Sequence, residues 1–110
     1  MSSYLIQVSY STEALASLIK NPQNRSEVVR KAVEKLGGTL HGLWLSFGDH
    51  DVVVIAEFPD NIRAAALAIA VAAGGTAKSV KTTPLLSVEE GQAALKKAGN
   101  TGYKPVGSKK

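Results

Sequence analysis

The residues best suited to chemistry in this chain are two histidines, a carboxylate and a lysine: His41, His50, Glu57 and Lys81. His50 belongs to the tetrapeptide Gly48-Asp49-His50-Asp51, set between two apolar runs in "LWLSFGDHDVVVIAEFPDN". An imidazole there could stack, donate a hydrogen bond, or exchange a proton near neutral pH. Asp51 could orient it, but adjacent residues of a strand point to opposite faces, so that pair needs help from the turn. The competing reading is structural: Gly48 tolerates a positive φ, and Asp49 and Asp51 bond local backbone donors in a tight turn. Glu57 and Lys81 are the second candidate pair. If both face one cavity, they either neutralise each other or bind and polarise a ligand, because an unpaired buried charge is costly. A carboxylate in a partly apolar cavity is also a candidate general base.

Composition narrows the field. At 110 residues the chain can bury one core, so a single domain is expected. Without cysteine it has no disulfide, no thiolate chemistry and no Cys-type zinc site. The histidines and carboxylates show no recognised ligand spacing, so no metal and no cofactor is expected. The N-terminal "MSSYLIQVSYSTEAL" has no basic segment followed by a continuous apolar one, and the longest apolar run, Ala64 to Ala73, is too short to span a bilayer. A cytoplasmic protein without a membrane partner is the expectation.

The net charge of +4 suggests nucleic acid until its location is considered. Residues 1–98 hold ten Lys or Arg against nine Asp or Glu, and the remaining excess is Lys104, Lys109 and Lys110 in "GNTGYKPVGSKK". A phosphate-binding surface gathers its basic groups on the folded body. Here they fall in a Gly-rich segment, 99–110, expected to be flexible or to dock on a neighbouring subunit. Nucleic-acid binding is therefore not expected.

The elements that must position the candidate residues follow from periodicity. "YLIQVSY" at 4–10 alternates as a strand. Ser11 or Thr12 caps a helix over "EALASLIK", interrupted at Pro22, and a second helix covers "RSEVVRKAVEKLGG" with Gly37 and Gly38 as its stop. Strands at about 39–47 and 51–58 flank the tetrapeptide. Pro59-Asp60 leads into the Ala-rich helix "NIRAAALAIAVAAGG". A fourth strand covers about 76–83, ending before Pro84, and Ser87 with Glu90 forms the capping box of a last helix. The order β-α-β-β-α-β is the split-βαβ, ferredoxin-like α+β pattern: helices on one face of an antiparallel sheet, the other face open.

Strand parity then divides the side chains. Leu43, Leu45 and Phe47 go with Val52, Val54, Ala56 and Phe58 under the helices, together with Ile6, Val8, Val80 and His41. The open face receives Leu5, Gln7, Trp44, Val53, Ile55, Glu57 and Lys81. Such an apolar surface needs a cover. A second copy of the sheet gives a dimeric barrel, whose lumen has the composition of a small-molecule pocket.

The run Leu43 to Asp60 resembles the signature segment of the GYD family, small bacterial and archaeal proteins named for a Gly-x-Tyr-Asp motif in the second hairpin. Gly48, Asp51 and Pro59-Asp60 fit that pattern, as do "YLIQVSYS", "NRSEVVRKAVEKLGGTLHGLWLSFG" and the Ala-rich helix, so the resemblance covers about 4–98. It implies a ferredoxin-like fold that associates as a dimeric α/β barrel, and it implies no activity. The chain departs from the motif where His50 takes the tyrosine position and Asp49 the usual glutamate. The functional expectation is a homo-oligomer binding a small apolar or amphipathic molecule in the lumen through the open-face residues. Two alternatives stand beside it: a cofactor-independent isomerase or monooxygenase-like enzyme using Glu57, Lys81 or a histidine, and a purely assembling protein whose lumen is filled by its own side chains.

Overall fold

The structure, a computed structural model, describes residues 1–107. Its elements are β1 (Ser2–Tyr10), α1 (Thr12–Lys20), α2 (Ser26–Lys35), β2 (Thr39–Leu45), β3 (Val52–Phe58), α3 (Asn61–Ala73), β4 (Ala77–Leu85) and α4 (Val88–Gly99). The four strands form one antiparallel sheet in the order β2-β3-β1-β4, the ferredoxin-like α+β arrangement.

Local chemistry accounts for the boundaries. The Ser11 hydroxyl accepts the Ala14 N–H at the start of α1, and Asp60 does the same for Arg63 in α3. The α2 helix closes in a Schellman arrangement: Gly38 N–H donates to the Val33 carbonyl and Gly37 N–H to that of Glu34, with Gly37 at φ 78°. The capping box of α4 forms as expected, Glu90 N–H on the Ser87 hydroxyl and Ser87 N–H on the Glu90 carboxylate. The Ser87 backbone N–H, and after it the Ser87 side chain, hold the Glu90 carboxyl below its usual range. β4 runs through Pro84 instead of stopping before it, because β4 is an edge strand and the missing N–H leaves no ladder partner unsatisfied.

The core lies between the sheet and its helices. Tyr4, Val33, Ala56 and Phe58 are buried almost completely, with Ile6, Leu40, Val54, Ala64 and Leu67 around them. Tyr4 and Phe58 meet edge to face, ring centroids 5.8 Å apart. The Tyr4 hydroxyl donates to the Asn61 side-chain carbonyl, tying the first residue of α3 to the core.

Two expectations need correction. Leu45 and Phe47 are not under helices: both are largely exposed. Leu45 lies opposite the buried Val52, so its face is right, but α1 and α2 leave a groove of about 780 Å³ beside it, lined by Leu15, Leu18, Leu43, Leu45, Phe47 and Arg25. His41 is not on the helix side either. The β2–β3 register slips between Leu40 and Gly42, so His41 is the extra residue of a β-bulge. The bulge keeps Leu40 buried opposite Ala56 and turns His41 to the open face.

Candidate functional site

The open face is a grid of four strands and three rows. One row reads Trp44, Val53, Gln7, Lys81; the next Gly42, Ile55, Leu5, Thr83; the last Thr39, Glu57, Ser3, Leu85. Thus all seven residues expected on this face share it: Leu5, Gln7, Trp44, Val53, Ile55, Glu57 and Lys81. The apolar groups run obliquely from Trp44 and Val53 to Ile55 and Leu5, with Gln7 and Lys81 on one side of them and Glu57 on the other.

Glu57 and Lys81 do not pair. They lie two rows and two strands apart, roughly 13 Å along the strand direction alone at the usual rise per residue. The partner of Glu57 is the imidazole Nε2 of His41, a residue whose placement parity misassigned. The signal was present in the sequence: Leu40 stands three residues before Leu43, so the apolar alternation of this strand breaks once, as a bulge requires. Lys81 has no ion-pair partner among the described residues.

At the Lys81 end, residues 46–50 form a depression of about 370 Å³ with Gln7, Val53 and Lys81. The tetrapeptide is not a tight turn on a positive-φ glycine, since Gly48 does not adopt that conformation. It is an irregular loop pinned to β1. The Ser9 hydroxyl donates to the Asp49 carbonyl at 3.1 Å and lies 3.3 Å from His50 Nδ1. Asp51 accepts the backbone N–H of Tyr10 at 2.8 Å, and its own N–H donates to the Val8 carbonyl. A hydroxyl has one proton, so with Asp49 as its acceptor the contact to His50 is made by Nδ1–H, leaving Nε2 as the acceptor of the neutral ring. His50 lines the same depression as Gln7 and Lys81, and Asp51 holds the loop instead of orienting the imidazole.

At the other end of the apolar strip stands the His41–Glu57 pair, half exposed. Trp44 starts from the Lys81 row and leans toward the middle one. Its ring lies over Gly42, where an added Cβ would come within 2.4 Å of the indole, yet Trp44 remains 55% exposed. On the opposite face of the sheet, Tyr10 borders the apolar groove. Burial raises the pKa of its phenol, opposed by the Arg25 guanidinium and reinforced by Asp51.

Among the described residues there is no group of three or more metal-ligating side chains, and no helix long and apolar enough to cross a membrane. Lys109 and Lys110, which carry much of the expected basic tail, lie outside the described residues; Tyr103 and Val106 before them are exposed.

A four-stranded antiparallel sheet with helices on one side and an apolar strip bounded by polar groups on the other defines a ferredoxin-like domain built to present its open face. The family comparison agrees: the GYD domain model matches residues 4–95, and the chain belongs to the GYD domain family. The search of curated proteins finds no match.

Proposed function

We propose that the protein is a homodimeric binder of small amphipathic molecules, held between the open faces of two sheets. The observation that carries this reading is the apolar strip, Leu5, Val53, Ile55 and the half-exposed Trp44, flanked by Gln7 and Lys81 on one side and by Glu57 on the other. A strip of this kind is costly in water, and a second sheet covers it while leaving polar ends to orient a ligand. Lys81, without an ion-pair partner among the described residues, and its cross-strand neighbour Gln7 suit the ligand's polar head.

Trp44 is the only tryptophan, which makes its emission a local reporter. Titration with decanoate and with decanol is expected to give saturable shifts of that emission. Lys81→Gln is expected to weaken decanoate about tenfold, the loss of one charge-assisted contact of roughly 1.5 kcal/mol, and to leave decanol unchanged. If neither compound moves the Trp44 emission, the binding reading falls.

A second reading has its own observation, the His41–Glu57 pair beside the strip. His41 could take a proton from a carbon next to a ligand carbonyl while Glu57 stabilises the imidazolium. Returning that proton at another carbon is an isomerisation that balances without a cofactor. Glu57→Gln is then expected to abolish exchange of α-deuterium from a bound aryl ketone while its affinity is kept. Exchange that proceeds equally in the variant removes the enzyme from consideration.

A further inference from the structure

The α4 helix is well capped and unused. None of its residues is buried, and Leu86, Val88 and Leu95 are exposed. The described chain measures 62 Å in its longest direction and has a radius of gyration of 17.9 Å, where a compact domain of this length has about 13 Å. Val88, Gly91, Leu95 and Ala98 fall at i, i+3, i+7 and i+10, an apolar stripe with small residues at two of its four positions. Twelve residues of helix are about 18 Å of stripe with nothing of the chain's own beneath it.

The groove beside α1 and β2 is the complementary case. Its walls are Leu15, Leu18, Leu43, Leu45 and Phe47, and Arg25 stands on its rim. The Arg25 guanidinium bonds only the Gln23 side chain, an uncharged partner, among the described residues. On α4, Glu90 is committed to its capping box, whereas Glu89 has no ion-pair partner among the described residues. A free cation at the rim of an apolar groove and a free carboxylate at the start of an apolar helix match in charge as well as in hydropathy.

The two cannot meet within one chain. Leu85, where β4 ends, is level with Ser3 of β1, while Arg25 shares its pockets with Tyr10, seven residues along the same strand and roughly 23 Å away. Two extended residues and two helical ones carry Glu89 only about 10 Å from Leu85. The groove lies beside β2 and α4 follows β4, the two opposite edges of the sheet.

We infer that α4 of one protomer docks in the helix-side groove of a second copy, its Val88–Leu95 stripe on Leu45 and Phe47 and its Glu89 against Arg25. The inference uses the two-fold partnership of the proposed function but different faces, so the two can fail separately. In a two-fold dimer the charge pair occurs twice. Sedimentation velocity of the full chain over a concentration series provides the test. Arg25→Glu and Glu89→Arg are each expected to raise the dimer dissociation constant at least about tenfold, since each sets two like-charge contacts, and the double exchange is expected to restore it. Leu95→Glu, at a position exposed within the protomer, is expected to weaken the dimer without lowering the helix content. A dimer that is indifferent to all of these variants overturns the docking and leaves the sheet-to-sheet dimer standing. A wild-type chain that is monomeric throughout overturns both.

Discussion

Phe58→Ala is expected to cost about 3–5 kcal/mol, the range for truncating a fully buried aromatic. Phe58 is 0% exposed and sits where three parts of the fold meet: the end of β3, the Tyr4 ring of β1, and the Gly37-Gly38 corner that brings α2 back to the sheet. Alanine would remove the edge-to-face contact with Tyr4 together with the buried ring area. It would also loosen the base on which Tyr4 reaches Asn61, so the start of α3 is affected too. For a domain whose whole stability is on the order of 5–15 kcal/mol, this is a large fraction. Thermal and urea unfolding at one fixed protein concentration should show a midpoint lowered by roughly 12 °C or more. Phe58→Leu, which keeps most of the volume, should cost distinctly less. Equal effects from Leu and Ala would point to the aromatic edge contact rather than the cavity as the main loss. A cost below about 1 kcal/mol for Ala would mean that the corner collapses onto the gap and that Phe58 does not hold the three parts together.

What could be foreseen in the sequence divides along physical lines. β3 was legible because no bulge interrupts it: with Glu57 marking the open face of an otherwise apolar run, each residue's face follows from its neighbour's, and burial alternates from Val52 to Phe58. Its central position then carried the assignments of Leu5, Gln7 and Trp44 across the ladder. The helix ends were legible for a different reason: Ser11, Asp60, the Gly37-Gly38 pair and the Ser87–Glu90 box act through bonds to residues within five positions. The failures are non-local or depend on one inserted residue. A single bulge at His41 reversed one side chain and so hid the partner of Glu57. The separation of Glu57 from Lys81 is a matter of register, which parity cannot supply: parity names the face of a residue, never its row. The exposure of Leu45 and Phe47 depends on where α1 and α2 stop relative to β2, and no local pattern encodes that. The site was therefore foreseen as a face and not as a constellation. Its chemistry changed accordingly, from a carboxylate–lysine pair to a carboxylate–histidine pair at one end and a free lysine at the other.

Two glycines four residues apart, Gly38 just before β2 and Gly42 within it, should respond to alanine in opposite ways. At Gly38 an added Cβ would stand 2.4 Å from the Glu57 carbonyl oxygen, 2.9 Å from Phe58 Cδ1 and 3.0 Å from Val33 Cγ1. The first of these is backbone, and it cannot retreat without disturbing the pairing of Glu57 with Thr39, on which the His41 bulge and the Glu57 position both depend. Gly38 has no positive φ, so alanine there also narrows the unfolded ensemble, a gain of roughly 0.4–1 kcal/mol. Overpacking against fixed backbone is larger, and a net loss of about 2 kcal/mol is expected. At Gly42 the obstacle is only the Trp44 indole, 2.4 Å from the added Cβ, and an exposed ring can turn away. Gly42→Ala should therefore cost no more than about 1.5 kcal/mol, the scale of a displaced rotamer, while shifting the Trp44 emission and any ligand-induced change in it. Unfolding curves and emission spectra of the two variants separate the cases. Gly38→Ala should lose stability with a Trp44 spectrum close to wild type below its unfolding transition, and Gly42→Ala should show the reverse. If Gly42→Ala unfolds as easily as Gly38→Ala, the Trp44 ring is a fixed part of the fold, and the open face cannot adapt it to a ligand.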